Sequence, residues 1–229
     1  MLFRDPTFLL VIPALILALY AQSKVKGAYR TFSQVASQSR LTGAQAAYQL
    51  LQTAGAGDVV IEKIPGDLTD HYDPRKKVLR LSQGVHDSTS IAALGIAAHE
   101  TGHAIQHRNH YQPMAVRSFI YPVASLGSTL AFPLFFAGFI FSRGGANILM
   151  DIGILLFTGA VAFSVVTLPV EFNASRRALA LLEERRFLTP DEMVGTRKVL
   201  SAAALTYVAS TAMAAVQLLR MFLLRSSRD

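Results

Sequence analysis

Ala98-His99-Glu100-Thr101-Gly102-His103-Ala104 is the stretch on which the reading of this chain turns. On a helix, residues four apart share a face, so His99 and His103 aim two imidazole nitrogens at one point, the spacing that holds a zinc ion. Glu100 is offset by about 100° from His99, close enough to hold and deprotonate a metal-bound water. The flanking sequence supplies the helix: Asp87-Ser88 caps an apolar run through Ile91, Leu94, Ala98, Gly102 and Ile105 to about His107. Upstream, Thr42 to Ala54 has helical periodicity and ends at Gly55. Asp58 to Ile64 alternates as a strand, Pro65-Gly66 turns the chain, and Val78 to Ser82 reads as a second strand. An HExxH inside a helix that follows strands is the setting the motif requires.

Composition points to a membrane. Of 229 residues, 52% are hydrophobic and only 16% charged, against roughly a quarter charged in soluble domains. With no cysteine in the chain, a zinc site must be built from His and carboxylate. The net charge of +7 comes without a basic stripe interleaved with aromatics, which argues against a nucleic-acid partner; basic loops flanking membrane spans produce the same excess.

Pro6 to Gln22 is apolar, and with no A-x-A cleavage site after it, it reads as an uncleaved anchor. Ser118 to Ser142 and Ala146 to Val170 read as a transmembrane hairpin turning at Arg143-Gly144-Gly145, with Gly127, Gly138, Gly153 and Gly159 placed to let helices approach closely. Asp151 lies within two turns of the hairpin tip and is read as interfacial rather than as a proton relay. Leu200 to Leu219 carries twenty uncharged residues and reads as a fourth span, with a buried helix as the competing reading. Thr189-Pro190-Asp191-Glu192 forms a capping box that starts a helix in either case. The layout expected is an anchor at 1–22, an HExxH-bearing catalytic region at 23–117, the hairpin at 118–170, a second catalytic segment at 171–199 and a C-terminal helix at 200–229. Seventeen of the Lys and Arg residues then share the side of the polar region and five the other. By the positive-inside rule the polar region is expected in the cytoplasm.

Two histidines leave zinc short of a third protein ligand. His107 follows on the same helix but points away by nearly a quarter turn. His110 fails the HExxHxxGxxH spacing, because Gln106 stands at the Gly position and Asn109 at the final His position. His71 and His86 lack a helical setting. Glu171 follows Pro169 and is expected to open a helix, where the dipole favours a carboxylate that can complete a His₂Glu site. The helices bearing His103 and Glu171 flank the hairpin, so the zinc is expected close to the membrane surface.

The chain resembles the YugP-type bacterial membrane zinc metallopeptidases. The stretches that carry the resemblance are Leu68–Pro74, Val78–Ser82, Ala97–Gln106, Leu168–Ser175 and Val199–Tyr207, and they cover nearly the whole chain. More distantly it is similar to HtpX-type and CAAX-type membrane proteases of the gluzincin class. In those the third ligand is a Glu on a later helix in an ExxxD setting, so the resemblance implies Glu171 as ligand. Ser175 stands where the Asp would be, which leaves Asn173 or Ser175 to hydrogen-bond a zinc histidine. By similarity, Val78 to Ser82 is the edge strand along which an extended peptide pairs, and His71 and Tyr72 are the nearest donors to a tetrahedral oxyanion.

The fold class expected is therefore a mainly helical α+β membrane protein with about four transmembrane helices and a small zincin-like catalytic domain carrying a short sheet. The function expected is that of a zinc metalloendopeptidase in the bacterial cytoplasmic membrane, cutting membrane-associated or misfolded polypeptides near the cytoplasmic surface. Zn²⁺ would be held by His99, His103 and Glu171, with Glu100 as the base. An inactive zinc-binding adaptor or chaperone is the alternative, and an intact Glu100 argues against it. A small transporter with an incidental motif is disfavoured because the charged residues lie outside the spans.

Overall fold

The structure is a computed structural model describing residues 6–141 and 148–227; the Arg143-Gly144-Gly145 turn, Arg4 and Arg228 lie outside the described residues. A 3₁₀ turn, Pro6–Leu10, leads into α1 (Val11–Phe32), followed by α2 (Gly43–Thr53), β1 (Val60–Ile64), β2 (His71–Asp73) and β3 (Val78–Ser82). Then come α3 (Gln83–His86), α4 (Ile91–Arg108), α5 (Gln112–Phe141), α6 (Ile148–Glu184) and α7 (Pro190–Ser226). The chain divides into two compact units, one of Met1–Ala21, Val116–Leu168 and Thr206–Asp229, the other of Gln22–Ala115 and Pro169–Leu205.

The first unit is helical. Among the described residues, four helical stretches are long and apolar enough to cross a membrane: Pro6–Phe32, Gln112–Phe141, Ile148–Glu184 and Pro190–Ser226. At about 1.5 Å per residue, the 37 residues each of α6 and α7 run well beyond the roughly 30 Å of a bilayer core, which is why both helices contribute to both units. Phe119 is 84% exposed and Leu155 72%, burial expected of side chains that face lipid rather than water. Inside the unit, Ala131, Phe135, Met150, Ile154, Phe157 and Met221 form the core. Three of the four hairpin glycines make close approaches. A Cβ on Gly127 would lie 2.9 Å from the Leu156 carbonyl oxygen, one on Gly153 2.7 Å from that of Ala131, and one on Gly138 2.7 Å from the Met150 main-chain nitrogen. Gly159 has nothing within 4 Å and makes no such approach. Asp151 accepts from Arg225 Nε at 2.8 Å.

The second unit carries a three-stranded sheet in the order β1-β3-β2. β1 pairs parallel with β3, Val60 opposite Val78 through Ile64 opposite Ser82, and β2 pairs antiparallel, His71 opposite Arg80 and Asp73 opposite Val78. One expectation fails here. His71-Tyr72-Asp73 form a strand that the sequence reading did not include. Asp70 anchors its start by accepting from Ser82 N and Oγ, and Asp73 Oδ1 accepts from Arg75 N and Lys76 N to turn the chain back. Val78–Ser82 is therefore the central strand and not an edge: both of its sides are paired, so it cannot receive a substrate strand. Its residues had the signal, since all but Arg80 are buried, as a strand packed on both faces requires.

α4 is capped by Ser90, whose hydroxyl accepts from Ala93 N at 3.1 Å, rather than by Asp87-Ser88. The short helix α3 occupies the preceding residues, and Asp87 caps its end and pairs with Lys63. Leu94 and Ala98 pack into a cluster with Leu50, Ala178, Leu182 and Leu200, while Ala93, Ala97 and Ala104 pack against Leu79 and Leu81 of the sheet. Two faces of α4 are thus committed to core, and the third carries His99 and His103. Gly102 lets this face come down on α6: a Cβ there would lie 2.8 Å from the Ala174 carbonyl oxygen. Gly102→Ala is expected to push the two helices apart, destabilising the unit by about 1–3 kcal/mol and lowering zinc stoichiometry, as thermal unfolding and metal analysis will measure. The capping box at Thr189 is present, with Thr189 N donating to Glu192 Oε2 at 2.7 Å and Glu192 N to Thr189 Oγ1 at 3.3 Å.

Candidate metal centre

Among the described residues, His99, His103 and Glu171 form a group whose ligand atoms all lie within 4.8 Å of one another. His99 Nε2 is 3.2 Å from Glu171 Oε2 and His103 Nε2 is 3.5 Å from it. Zinc bonds of about 2.0–2.1 Å in a tetrahedron require ligand atoms roughly 3.4 Å apart, and the two His–Glu separations match that edge. The two imidazole rings stand at 86° with centroids 4.8 Å apart. Glu171 is 2% exposed, and a carboxylate buried between two imidazoles suits a cation they share. The donor set, two neutral nitrogens and one carboxylate with no thiolate, fits Zn²⁺.

Glu171 reaches this position by a route the sequence reading did not foresee. It lies in the middle of α6, not at a helix start, because Pro169 sits inside the continuous helix Ile148–Glu184. The proline removes only the hydrogen bond to the Val165 carbonyl, a loss that membrane helices tolerate. The helix dipole therefore gives Glu171 no assistance.

Each histidine is oriented from behind. His99 Nδ1 lies 3.1 Å from Ser175 Oγ, so the residue at the ExxxD position serves through a hydroxyl. His103 Nδ1 lies 3.0 Å from Gln106 Oε1. Gln106 is fully buried, and its Nε2 donates to the Val170 carbonyl at 2.8 Å and to Asn173 Oδ1 at 3.0 Å. With both amide hydrogens so used, Oε1 must face His103. Nδ1 then carries the hydrogen and Nε2 keeps its lone pair toward the metal. Asn173 Oδ1 also accepts from Arg177 Nε at 2.7 Å. Asn173 thus acts through Gln106 rather than on a histidine directly. Gln106 was missed in the sequence as anything but a failed Gly position; its i+3 spacing from His103 was the available signal. Gln106→Met is expected to weaken zinc affinity about 10–100-fold, as competition with a chromophoric chelator will measure; unchanged affinity would remove the orienting role.

Glu100 is not part of the cluster. It is 8% exposed on the neighbouring face of α4, and burial pushes its carboxyl up to about 7, opposed by the His99 charge and by a hydrogen bond from the Tyr72 main-chain N–H. A buried carboxylate one residue from a metal ligand is placed to take and return a proton.

The remaining candidates lie elsewhere. His71 is exposed, with Nδ1 2.9 Å from the Thr69 carbonyl. The Tyr72 hydroxyl is 2.9 Å from His107 Nδ1, and Tyr72 has its pKa pushed up to about 12 by burial and then by Asp58 and Asp73. Only its main chain meets Glu100. His86 pairs with Asp87, and His107 and His110 line a separate cavity.

The family described as "Putative neutral zinc metallopeptidase" matches residues 7–226. The chain belongs to that family. It is 45% identical over 211 residues to the "Putative membrane protease YugP" of Bacillus subtilis (strain 168), covering 92% of each chain. No solved structure matches it. A zinc peptidase family, four apolar helices and a His/Glu triad with zinc spacing agree with one another.

Proposed function

We propose that this protein is a zinc metalloendopeptidase that hydrolyses peptide bonds of membrane-associated or misfolded polypeptides at the cytoplasmic surface of the bacterial cytoplasmic membrane. The observation that carries the reading is the His99–His103–Glu171 triad with the buried Glu100 beside it. A bound zinc supplies Lewis acidity toward the scissile carbonyl and a lowered pKa for its water. Glu100 would accept a proton from the attacking water and return it to the leaving amine. Gln106 keeps His103 in the tautomer that leaves Nε2 free for the metal, and Ser175 holds the His99 ring in place. β2 is the sheet edge beside Glu100, so an extended substrate would pair there through main-chain hydrogen bonds, a mode tolerant of sequence. A binding adaptor needs no buried carboxylate at position 100, which favours the enzyme.

A membrane-associated substrate is supported by chain continuity, since Glu171 is carried on a helix that is itself a candidate span. Purified zinc-loaded protein is expected to cut an unfolded membrane protein in detergent faster than casein, and equal rates would remove that preference. Sidedness is testable because the chain has no cysteine. A single cysteine at the exposed Arg75 is expected to react with a membrane-impermeant maleimide only after cells are permeabilised; labelling of intact cells would place the site outside.

A further inference from the structure

On the sheet side of α4, beyond the metal triad, lies a cavity of about 230 Å³ lined by Asp58, Tyr72, Lys77, His107, Arg108 and His110, with Ala56, Val59 and Ala104 at its base. The proposed hydrolysis uses none of these side chains. Lys77 pairs with Asp58 at 2.7 Å. Arg108 also bears on Asp58, whose pKa is lowered first by the hydrogen bond from Lys77. Two fixed cations against one carboxylate leave the cavity a net positive charge, with two imidazoles on its wall. The His107 pKa is pushed down, by burial first and then by the Lys77 and His110 charges. Lys77 and His110 both have left-handed backbones, with φ of 52° and 49°, a region that side-chain-bearing residues rarely occupy.

The cavity is also tied to the triad. Glu100, Ala104, His107 and Arg108 share one face of α4, so the lining begins about 6 Å beyond Glu100 and ends about 12 Å beyond it. Tyr72, on β2, reaches the cavity with its hydroxyl, 2.9 Å from His107 Nδ1. At about 3.3 Å per residue, a peptide extended along β2 covers that distance in two to four residues.

We propose that this cavity is a carboxylate-binding subsite, taking either the C-terminal carboxylate or an Asp or Glu side chain of a polypeptide two to four residues from the scissile bond. Its role as a substrate subsite rests on the peptidase reading; its affinity for carboxylate does not. Lys77 and Arg108 supply the charge, and Tyr72, His107 and His110 supply polar hydrogens at the wall. The volume is small for a drug-sized ligand and suits a single acidic group.

The test uses zinc-loaded full-length protein in detergent with ¹⁵N-labelled histidine. N-acetylglycine, which presents a terminal carboxylate, and N-acetylglutamate α-amide, which presents a side-chain carboxylate, are titrated against the His107 and His110 ring resonances, with N-acetylglutamine amide as the neutral control. At least one acid is expected to shift both rings while the control does not, and the stronger of the two identifies the source. Lys77→Met is expected to weaken that binding about tenfold or more, Lys77→Arg to retain it, and Asp58→Asn to tighten it. A merely structural role would move Lys77→Met and Asp58→Asn in the same direction. No shift with either acid overturns the proposal, as does binding of inorganic phosphate without binding of the carboxylates. In a second arm, casein cleaved by the enzyme is sequenced by mass spectrometry. Acids or chain ends enriched several-fold at one fixed distance from the cut support the subsite, and a flat profile overturns it. Carboxylate binding without cleavage of any substrate overturns the peptidase reading and leaves the carboxylate site standing.

Discussion

Glu100→Gln is expected to lower turnover by roughly 10²–10⁴-fold while zinc stays bound at full stoichiometry. The separation of these two effects follows from where the carboxylate lies. Glu100 is outside the His99–His103–Glu171 group, so its replacement leaves the three donor atoms and their 3.2 and 3.5 Å spacings in place. Gln has the same shape, so the packing around α4 is unchanged. What is lost is the ability to take a proton. Turnover measured on a saturating unfolded substrate, with metal content measured on the same sample, decides the matter; zinc-dependent cleavage at the wild-type rate would show that another group is the base.

Glu171→Ala is expected to lose metal and activity together. Replacement of an outer partner such as Gln106 costs about 10–100-fold in affinity, and a direct ligand that also supplies the site's negative charge costs more than that. Two neutral imidazoles remain, and the cavity left between them has no anion to compensate a divalent cation. Zinc affinity by chelator competition is expected to fall by more than about 10²-fold. Activity should not return at any zinc concentration, because the surviving geometry cannot fix the metal. A variant that binds zinc as tightly as wild type would reassign the third ligand.

The parts of this protein that were legible in its sequence are those written in local patterns. The i, i+4 histidines, the uncharged runs of the spans and the Thr189–Glu192 box each involve residues within a few turns, and helical periodicity suffices to read them. Glu171, 72 residues from His99, was read as the third ligand from its place just after the hairpin, a reading the resemblance to a known family shared, and the structure brings it to the two histidines. What could not be read depends on pairing between distant segments. β2 is three residues long, too short for alternation to register, and it exists as a strand because β3 holds it. Once β2 is missing from the reading, β3 is free to be taken for an edge. Pro169 misled in the opposite way. A proline usually ends a helix, and here α6 continues through it because its neighbours hold the chain in place. Gln106 was hidden because it was judged against a glycine pattern rather than by the reach of its amide.

The letter x in HExxH denotes a position where any residue will do, and at Gly102 that freedom is absent. The atoms a side chain would strike there are the oxygen, Cα and carbonyl carbon of Ala174, all main chain, so no exchange at position 174 can make room. Relatives that keep this helix contact must therefore keep glycine at this place, and no compensating pair of substitutions will appear in their alignments. A search pattern written His-Glu-x-Gly-His therefore selects for the packing of α4 on α6 as well as for the metal.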